Sequence, residues 1–540
     1  MPASFFKNQI SWIKENKFKV CILIIFAIAL TLRIYAICHK TSDLFDITSS
    51  FGCSTPNNLF RDEQEFKYYW SEIDFKSGEN YTAEELKKAL FENKTDLKSI
   101  IEDLITLHVT TIDTQHPNLY YTLFRIWNIG LDYSTPKSMM VRGCCFNLIF
   151  FSLSFFFMFK LLSLIWKDKR FILLGLFFAF VSTGSISNTL LVRSYQMFEA
   201  FTVLMLYLFL KAYDKINNKD FKFSVKDYFK YPLGFSLVLL THYYSMILFF
   251  ILNVIILGKC IIVKNIRFLK SFCIMTALTV LAVLLFCPLY FDNFLVIEHF
   301  DGVYKLFKLK ELFNYAYTLK LFEWWGISIF NNYLFYIVLF VFAIIKRSVL
   351  NLENFKTFEL KRFGLIFLPV LIFNYILMVI SPFYEPSSIR YVIESFPVIS
   401  ILLTLATYCF REVFIYFFIL LTLSTTFISL KTNLSMKNSP YKNLGVVNYY
   451  QDFSYYDVSP YIYNDKNEII PVVILNRNWE YPNYIFYLPN NAIVRIEDFL
   501  NVEEYNTFND YILVDAYRTR VKHIKRVGGK IYIKCLSSIN

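Results

Sequence analysis

The sequence predicts an α-helical polytopic membrane protein of about eleven transmembrane helices, with a long helical first external loop and a small C-terminal external α/β domain. Three observations point there. Of the 540 residues 56% are hydrophobic and only 18% charged, and the mean hydropathy is +0.42, more apolar surface than a water-soluble fold of this size can place against solvent. Apolar runs such as Phe150–Phe159 recur between charged clusters, and a helix needs about 20 such residues to cross the hydrocarbon with its backbone groups paired internally. Beyond Lys431 the pattern changes to polar residues interrupted by short strand-like runs.

The spans are expected at Phe18–Ile37, Val141–Leu162, Phe171–Ser187, Leu190–Leu210, Pro232–Thr241, His242–Leu257, Phe272–Leu289, Ile329–Ile345, Phe363–Ile380, Tyr391–Cys409 and Val413–Leu430. The first follows Lys14, Lys17 and Lys19 without a small-residue cleavage site, which marks a retained anchor. With the N-terminus inside, the Lys- and Arg-bearing linkers 166–170, 211–230, 259–270, 346–362 and Arg411 all fall on the cytoplasmic side. The net charge of +12 is thereby assigned to topology, and a nucleic-acid partner is set aside. Ten cysteines show no CxxC or Cys/His spacing, which argues against structural zinc.

Residues 1–430 therefore form the membrane domain, residues 38–140 its first external loop, and residues 431–540 the external domain. Helical stretches are expected at Ala83–Phe91 and Leu97–Leu107, and helices lying along the membrane surface at Tyr120–Trp127 and Leu306–Trp325. Strands are expected at Pro471–Leu475, Tyr484–Leu488, Ala492–Ile496, Tyr511–Val514 and Lys530–Ile533.

On this topology the polar groups least explained by solubility gather near the outer ends of spans. Asp46 follows the first span, Asp113 and His116 precede the aromatic segment, and Arg193 lies near the outer end of the fourth span. His242 is at the fifth-to-sixth turn and Arg390 opens the tenth span. Arg33, within about a turn of the first span's exit, reads as an interfacial anchor. Carboxylates, His and Arg at head-group depth suit an anionic, lipid-linked substrate, because Arg offers a planar fork of donors to phosphate. No Walker loop, GxSxG elbow or HExxH helix competes for the role.

The segment Asp113-Thr114-Gln115-His116-Pro117-Asn118-Leu119-Tyr120-Tyr121 resembles the D-x-x-H-P-P-L-Y-Y region of GT-C glycosyltransferases, and more narrowly the glycosyltransferase family 39 group of protein O-mannosyltransferases and lipid A aminoarabinose transferases. Leu32-Arg33, Asp46, Arg193-Ser194-Tyr195, Thr241-His242-Tyr243-Tyr244 and Arg390-Tyr391 with Pro397 follow in the family's order. Two positions depart: the family's Asp-Glu pair is Asp46-Ile47 here, and its second Pro is Asn118.

The resemblance implies a polyprenyl-phosphate sugar donor, a lipid, glycan or protein acceptor, and inversion at the anomeric carbon. It makes Asp46 the general base or an acceptor-orienting carboxylate, with Asp113 holding the acceptor or a divalent ion. It leaves metal dependence open; any divalent cation, Mg2+ or Mn2+, would have Asp46 and Asp113 as its ligands. His116, Arg193, Tyr195, His242, Tyr243, Arg390 and Tyr391 bind the donor phosphate and substrate. The implied address is a bacterial inner membrane with the active site facing the periplasm. Sequons at Asn80, Asn93 and Asn433 keep the endoplasmic reticulum as an alternative. Two rivals stand beside the transferase: a transporter or flippase of lipid-linked precursors, which predicts broken helices or inverted halves, and a non-catalytic membrane scaffold.

Overall fold

The structure is a computed structural model that describes residues 16–40, 46–56, 60–62, 67–69, 78–109, 116–131, 135–294, 319, 321–322, 325, 359–380, 392–408, 412–435, 461–463, 468–475, 481–497, 508, 510–515, 520–527 and 530–538. The expected span Ile329–Ile345 and nearly all of the expected surface helix Leu306–Trp325 lie outside those residues. The chain is mostly helical. Its two compact units do not divide at residue 430: the first comprises residues 1–40, 115–117 and 147–449, the second residues 41–114, 118–146 and 450–540.

Among the described residues, five helices are long and apolar enough to cross a membrane: Lys17–His39, Lys137–Ile165, Ser245–Val263, Ile266–Phe286 and Leu360–Ile380. A sixth span results if Lys169–Val181 and Thr183–Leu190, bent by 52°, count as one. This is a membrane protein with fewer long apolar helices among the described residues than the eleven expected. The third expected span breaks at Ser182, where a polar run of small residues begins. Ser182 is extended and its hydroxyl accepts from the Ser185 N–H at 3.4 Å, so it starts a new helix instead of continuing the old one. The fifth becomes Val225–Leu239, with Pro232 inside it, and the tenth shortens to Phe396–Tyr408 after a 3-10 turn at Ile393–Ser395.

Burial sorts the helices of the first unit. Ser245–Val263 and Ile266–Phe286 keep only 28% of their apolar windows buried, which fits faces turned to lipid. Thr183–Leu190 is buried along its whole length and Tyr195–Lys215 along most of it, so these two form the interior. Phenylalanines knit the surrounding helices together: Phe26 stacks on Phe151 at 5.6 Å, and Phe151 meets Phe180 edge-on at 5.8 Å.

The second unit holds a six-stranded mixed sheet in the order β3-β5-β4-β6-β7-β8 and a small β1–β2 hairpin. The strands are β1 (Phe60–Asp62), β2 (Lys67–Tyr69), β3 (Asn80–Thr82), β4 (Val472–Leu475), β5 (Ile493–Glu497), β6 (Asp510–Asp515), β7 (Arg520–Val527) and β8 (Lys530–Ser538). β4 runs parallel to both β5 and β6, and β6, β7 and β8 form an antiparallel meander. β3, from the segment between Lys17–His39 and Lys137–Ile165, caps the sheet by pairing Tyr81 with Val494. That segment and the C-terminal one thus build one sheet. β7 had no counterpart in the expected strands, and the expected strand Tyr484–Leu488 is instead the helix Tyr481–Tyr487. Pro482 is at its start, where a missing N–H costs nothing, and Tyr484, Ile485, Phe486 and Leu488 are all buried.

The helices Ala83–Phe91 and Leu97–Val109 lie where expected. Thr82 and Glu85 form a capping box on the first of these, and Leu86 and Leu90 turn one face into the core. Leu119–Trp127 differs from expectation. It is not a surface helix: Leu119, Tyr120, Tyr121, Phe124 and Arg125 are buried. The Arg125 Nε donates to Asp103 at 2.6 Å, its Nη2 to the Lys94 carbonyl at 2.8 Å, and its Nη1 to the Asn93 side chain. Asn93 is itself buried, so that sequon is not presented to solvent.

Lys87 of this unit is buried and donates to the Leu488 carbonyl and, at 3.1 Å, to Asn490. Burial pushes its ammonium down to about 8, against the opposing pull of Glu84. The unfolded chain holds that proton to about pH 10.4, so between about 8 and 10.4 the unfolded state binds more protons and stability rises with pH. Below about 8 both states are protonated and the slope from this group vanishes. Thermal unfolding of the detergent-solubilised protein from pH 7 to 10 is expected to show this rise, and Lys87→Met to flatten it.

Candidate functional site

The first unit carries a polar interior organised around the non-helical connection Leu191–Ser194. Opening the chain there leaves carbonyls at the end of Thr183–Leu190 without helical partners. Side chains from two other helices supply them. The Asn147 amide donates to the carbonyls of Thr189 at 3.2 Å and Leu191 at 2.6 Å, and Lys40 Nζ donates to Leu190 at 2.6 Å. The connection is therefore fixed, and it holds Arg193, which is buried, two residues before Tyr195 opens the next helix. Arg193 was expected inside a span; it occupies the turn between two helices.

A second connection, between Val225–Leu239 and Ser245–Val263, brings His242 to the same place. Thr241 Oγ1 donates to the Val238 carbonyl at 2.6 Å, and the Ser245 hydroxyl to the His242 carbonyl at 2.6 Å, closing the turn from both sides. The Tyr244 N–H donates to His242 Nδ1 at 3.2 Å. With Nδ1 an acceptor, the ring carries its proton on Nε2. The His242 ring lies 4.9 Å from His116, 6.1 Å from Tyr195 and 5.3 Å from Phe198, and His116 lies 5.7 Å edge-on from Tyr195. Tyr243, next in sequence, is fully buried, with its ring 5.0 Å from Tyr290. Three stretches far apart in the chain thus meet as one imidazole and phenol cluster, and the buried Arg193 lies two residues before its Tyr195.

The same unit holds a hydrogen-bond relay that the sequence reading missed. Arg33 is wholly buried, not an interfacial anchor. Its Nε donates to Thr189 Oγ1 at 2.9 Å, its Nη1 to the carbonyls of Ala29 at 3.0 Å and Phe180 at 2.8 Å, and its Nη2 to Ser185 at 2.7 Å. Thr189 passes the chain on to Gln196 Oε1 at 2.7 Å, and the Gln196 amide donates to Glu199 at 3.0 Å. Glu199 also accepts from Ser154 at 2.7 Å and Asn188 at 2.8 Å. A second carboxyl, Glu394 in the 3-10 turn, is fully buried, with no hydrogen-bond partner for either oxygen among the described residues. Ionisable residues inside apolar runs were the available signal, and Glu199 was legible on that rule.

The other expected site residues divide as follows. Asp46 opens the helix Asp46–Ser54 of the second unit, and its side chain lies outside the described residues, as do Asp113, Arg390 and Tyr391 entirely. Among the described residues no group of three or more His, Cys, Asp or Glu is placed to hold a metal ion. Asn118, the residue standing where the resemblance has Pro, donates its amide to the carbonyl of Leu107 in the last turn of Leu97–Val109. The side chain thus ties down a helix end that proline could not reach.

Fold and site together define a mostly helical membrane protein with a buried polar interior and a mixed-sheet second unit. No family model, curated protein or solved structure matches the chain.

Proposed function

We propose that the chain is a membrane glycosyltransferase of the GT-C kind. It moves a sugar from a polyprenyl-phosphate donor to a lipid, glycan or protein acceptor, with inversion, on the periplasmic face of a bacterial inner membrane. The observation that carries this is the meeting of His116, Tyr195 and His242, with the buried Arg193 two residues before Tyr195. The donor's leaving group is a phosphate, and charge builds on its oxygens as the anomeric carbon parts from it. A guanidinium and a neutral imidazole N–H are the donors suited to that charge, and a water-poor setting strengthens them. The aromatic ring faces around His242 suit the apolar face of a sugar or an isoprenoid. On the sequence alone, the acceptor's proton goes to Asp46.

Arg193→Ala and His242→Ala are each expected to lower turnover by about 10²–10³-fold, the scale of losing one oxyanion donor, with membrane insertion unchanged. Steady-state assays on the purified variants check this.

One observation favours the transporter as a second reading. The 52° bend between Lys169–Val181 and Thr183–Leu190 is the kind of broken helix that transporters build at their binding sites. Incubation of the purified protein with a panel of polyprenyl-phosphate sugars separates the two. Release of lipid phosphate from one donor supports transfer. Movement of labelled donor between leaflets of proteoliposomes, with every glycosidic bond intact, would sink transfer in favour of transport.

A further inference from the structure

The helix Leu97–Val109 exposes Leu97, Ile101, Ile105 and Val109 at 71%, 46%, 56% and 50%. Four-residue steps advance only about 40° around an α-helix, so the four side chains form one slanted stripe. The other face holds the helix in its unit. Asp103 and Leu107 are buried there, with Asp103 bonded to Arg125 and the Leu107 carbonyl to Asn118. Along one flank of the stripe Lys98 and Glu102 lie 3.8 Å apart, with side chains 86% and 52% exposed, and Lys94 is exposed just ahead of the helix.

We infer that this stripe rests in the head-group and upper acyl region of the bilayer that the chain's own spans cross. Its composition favours lipid over a protein partner. The stripe is wholly aliphatic, whereas protein interfaces are anchored by Trp, Tyr and Arg. Lys94, exposed just ahead of the helix, suits a lipid phosphate, and the Lys98–Glu102 pair on the flank matches a zwitterionic head group. In the chain, apolar helices precede and follow this one at Lys17–His39 and Lys137–Ile165. Leu97–Val109 therefore takes the surface role that the sequence had assigned to Tyr120–Trp127. The inference is independent of sugar transfer and rests only on the spans.

The test uses the full-length protein in nanodiscs of phosphatidylcholine and phosphatidylglycerol, doped with a phospholipid whose acyl chain carries a photoactivatable diazirine. After illumination, adducts are mapped by mass spectrometry. The expected result is labelling at Leu97, Ile101, Ile105 and Val109 as well as on the spans, with none at Asp103 or Leu107. The double variant Ile101→Ser, Ile105→Ser is expected to lose the helix adducts while the spans stay labelled. Labelled spans with Leu97–Val109 no more modified than β6, β7 and β8 would overturn the inference, including the case in which a second copy of the chain or another protein covers the stripe.

Discussion

Replacing Arg33 with alanine is expected to destabilise the membrane unit by about 3–5 kcal/mol, the cost of removing one partner of a buried charge network. Interhelical hydrogen bonds in membranes average about 0.6 kcal/mol, so the three that Arg33 donates to other helices, to Thr189, Phe180 and Ser185, account for about half of that figure or less. The remainder comes from what is left behind. Thr189 and Ser185 lose their donors, the Phe151 ring loses the guanidinium held 3.9 Å from its centre, and Glu199 loses the nearest cation in its network. Arg33→Lys is expected to recover only part of the loss, because an ammonium cannot reach Thr189, Ser185 and two carbonyls at once. Thermal unfolding in detergent measures both variants. An Arg33→Ala protein melting with the wild type would show that the relay contributes nothing to the bundle.

The second large effect belongs to the other unit. Asp103→Ala is expected to cost about 3–5 kcal/mol, because it leaves the Arg125 guanidinium buried with its charge uncompensated. Arg125 is fully buried and Asp103 nearly so, so water cannot take over the lost bond without opening the packing around Phe124 and Leu107. Asp103→Asn keeps an acceptor and is expected to cost less. Double substitution to Asp103→Leu, Arg125→Met removes both charges and is expected to recover most of the stability, as apolar replacements of buried pairs often do. Limited proteolysis of the second unit, with the spans as an internal reference, follows each variant. Equal protease resistance in Asp103→Ala and wild type would contradict the assignment.

These two networks show where sequence reading reached and where it stopped. A uniform apolar run announces itself, and Lys17–His39 and Leu360–Ile380 lie within three residues of where hydropathy put them, even with Pro369 inside the latter. The break at Ser182 was hidden because Phe171–Val181 supplies enough apolar character to carry the average across it. Arg33 was taken for an interfacial anchor and the segment holding Arg125 for a surface helix, since a lone Arg near an apolar segment looks alike whether it reaches water or several buried acceptors. The difference lies in residues distant in sequence, such as Thr189 and Asp103. β3 shows the same limit: three residues, Asn80–Thr82, carry no strand signal alone and pair with a strand near the other end of the chain. In the site, His116, Tyr195 and His242 were legible as motif residues, and the cluster they form is the fold's contribution. Glu394 lay inside the expected tenth span, Tyr391–Cys409, and was legible on the same rule as Glu199.

The most direct measurement of the central claim is the rate at which the purified protein in nanodiscs frees polyprenyl phosphate from its preferred lipid-linked sugar, compared between wild type, Arg193→Ala and His242→Ala. Steady turnover by the wild type and near-complete loss in both variants are expected, with folding unchanged. Equal turnover in all three proteins would contradict the claim.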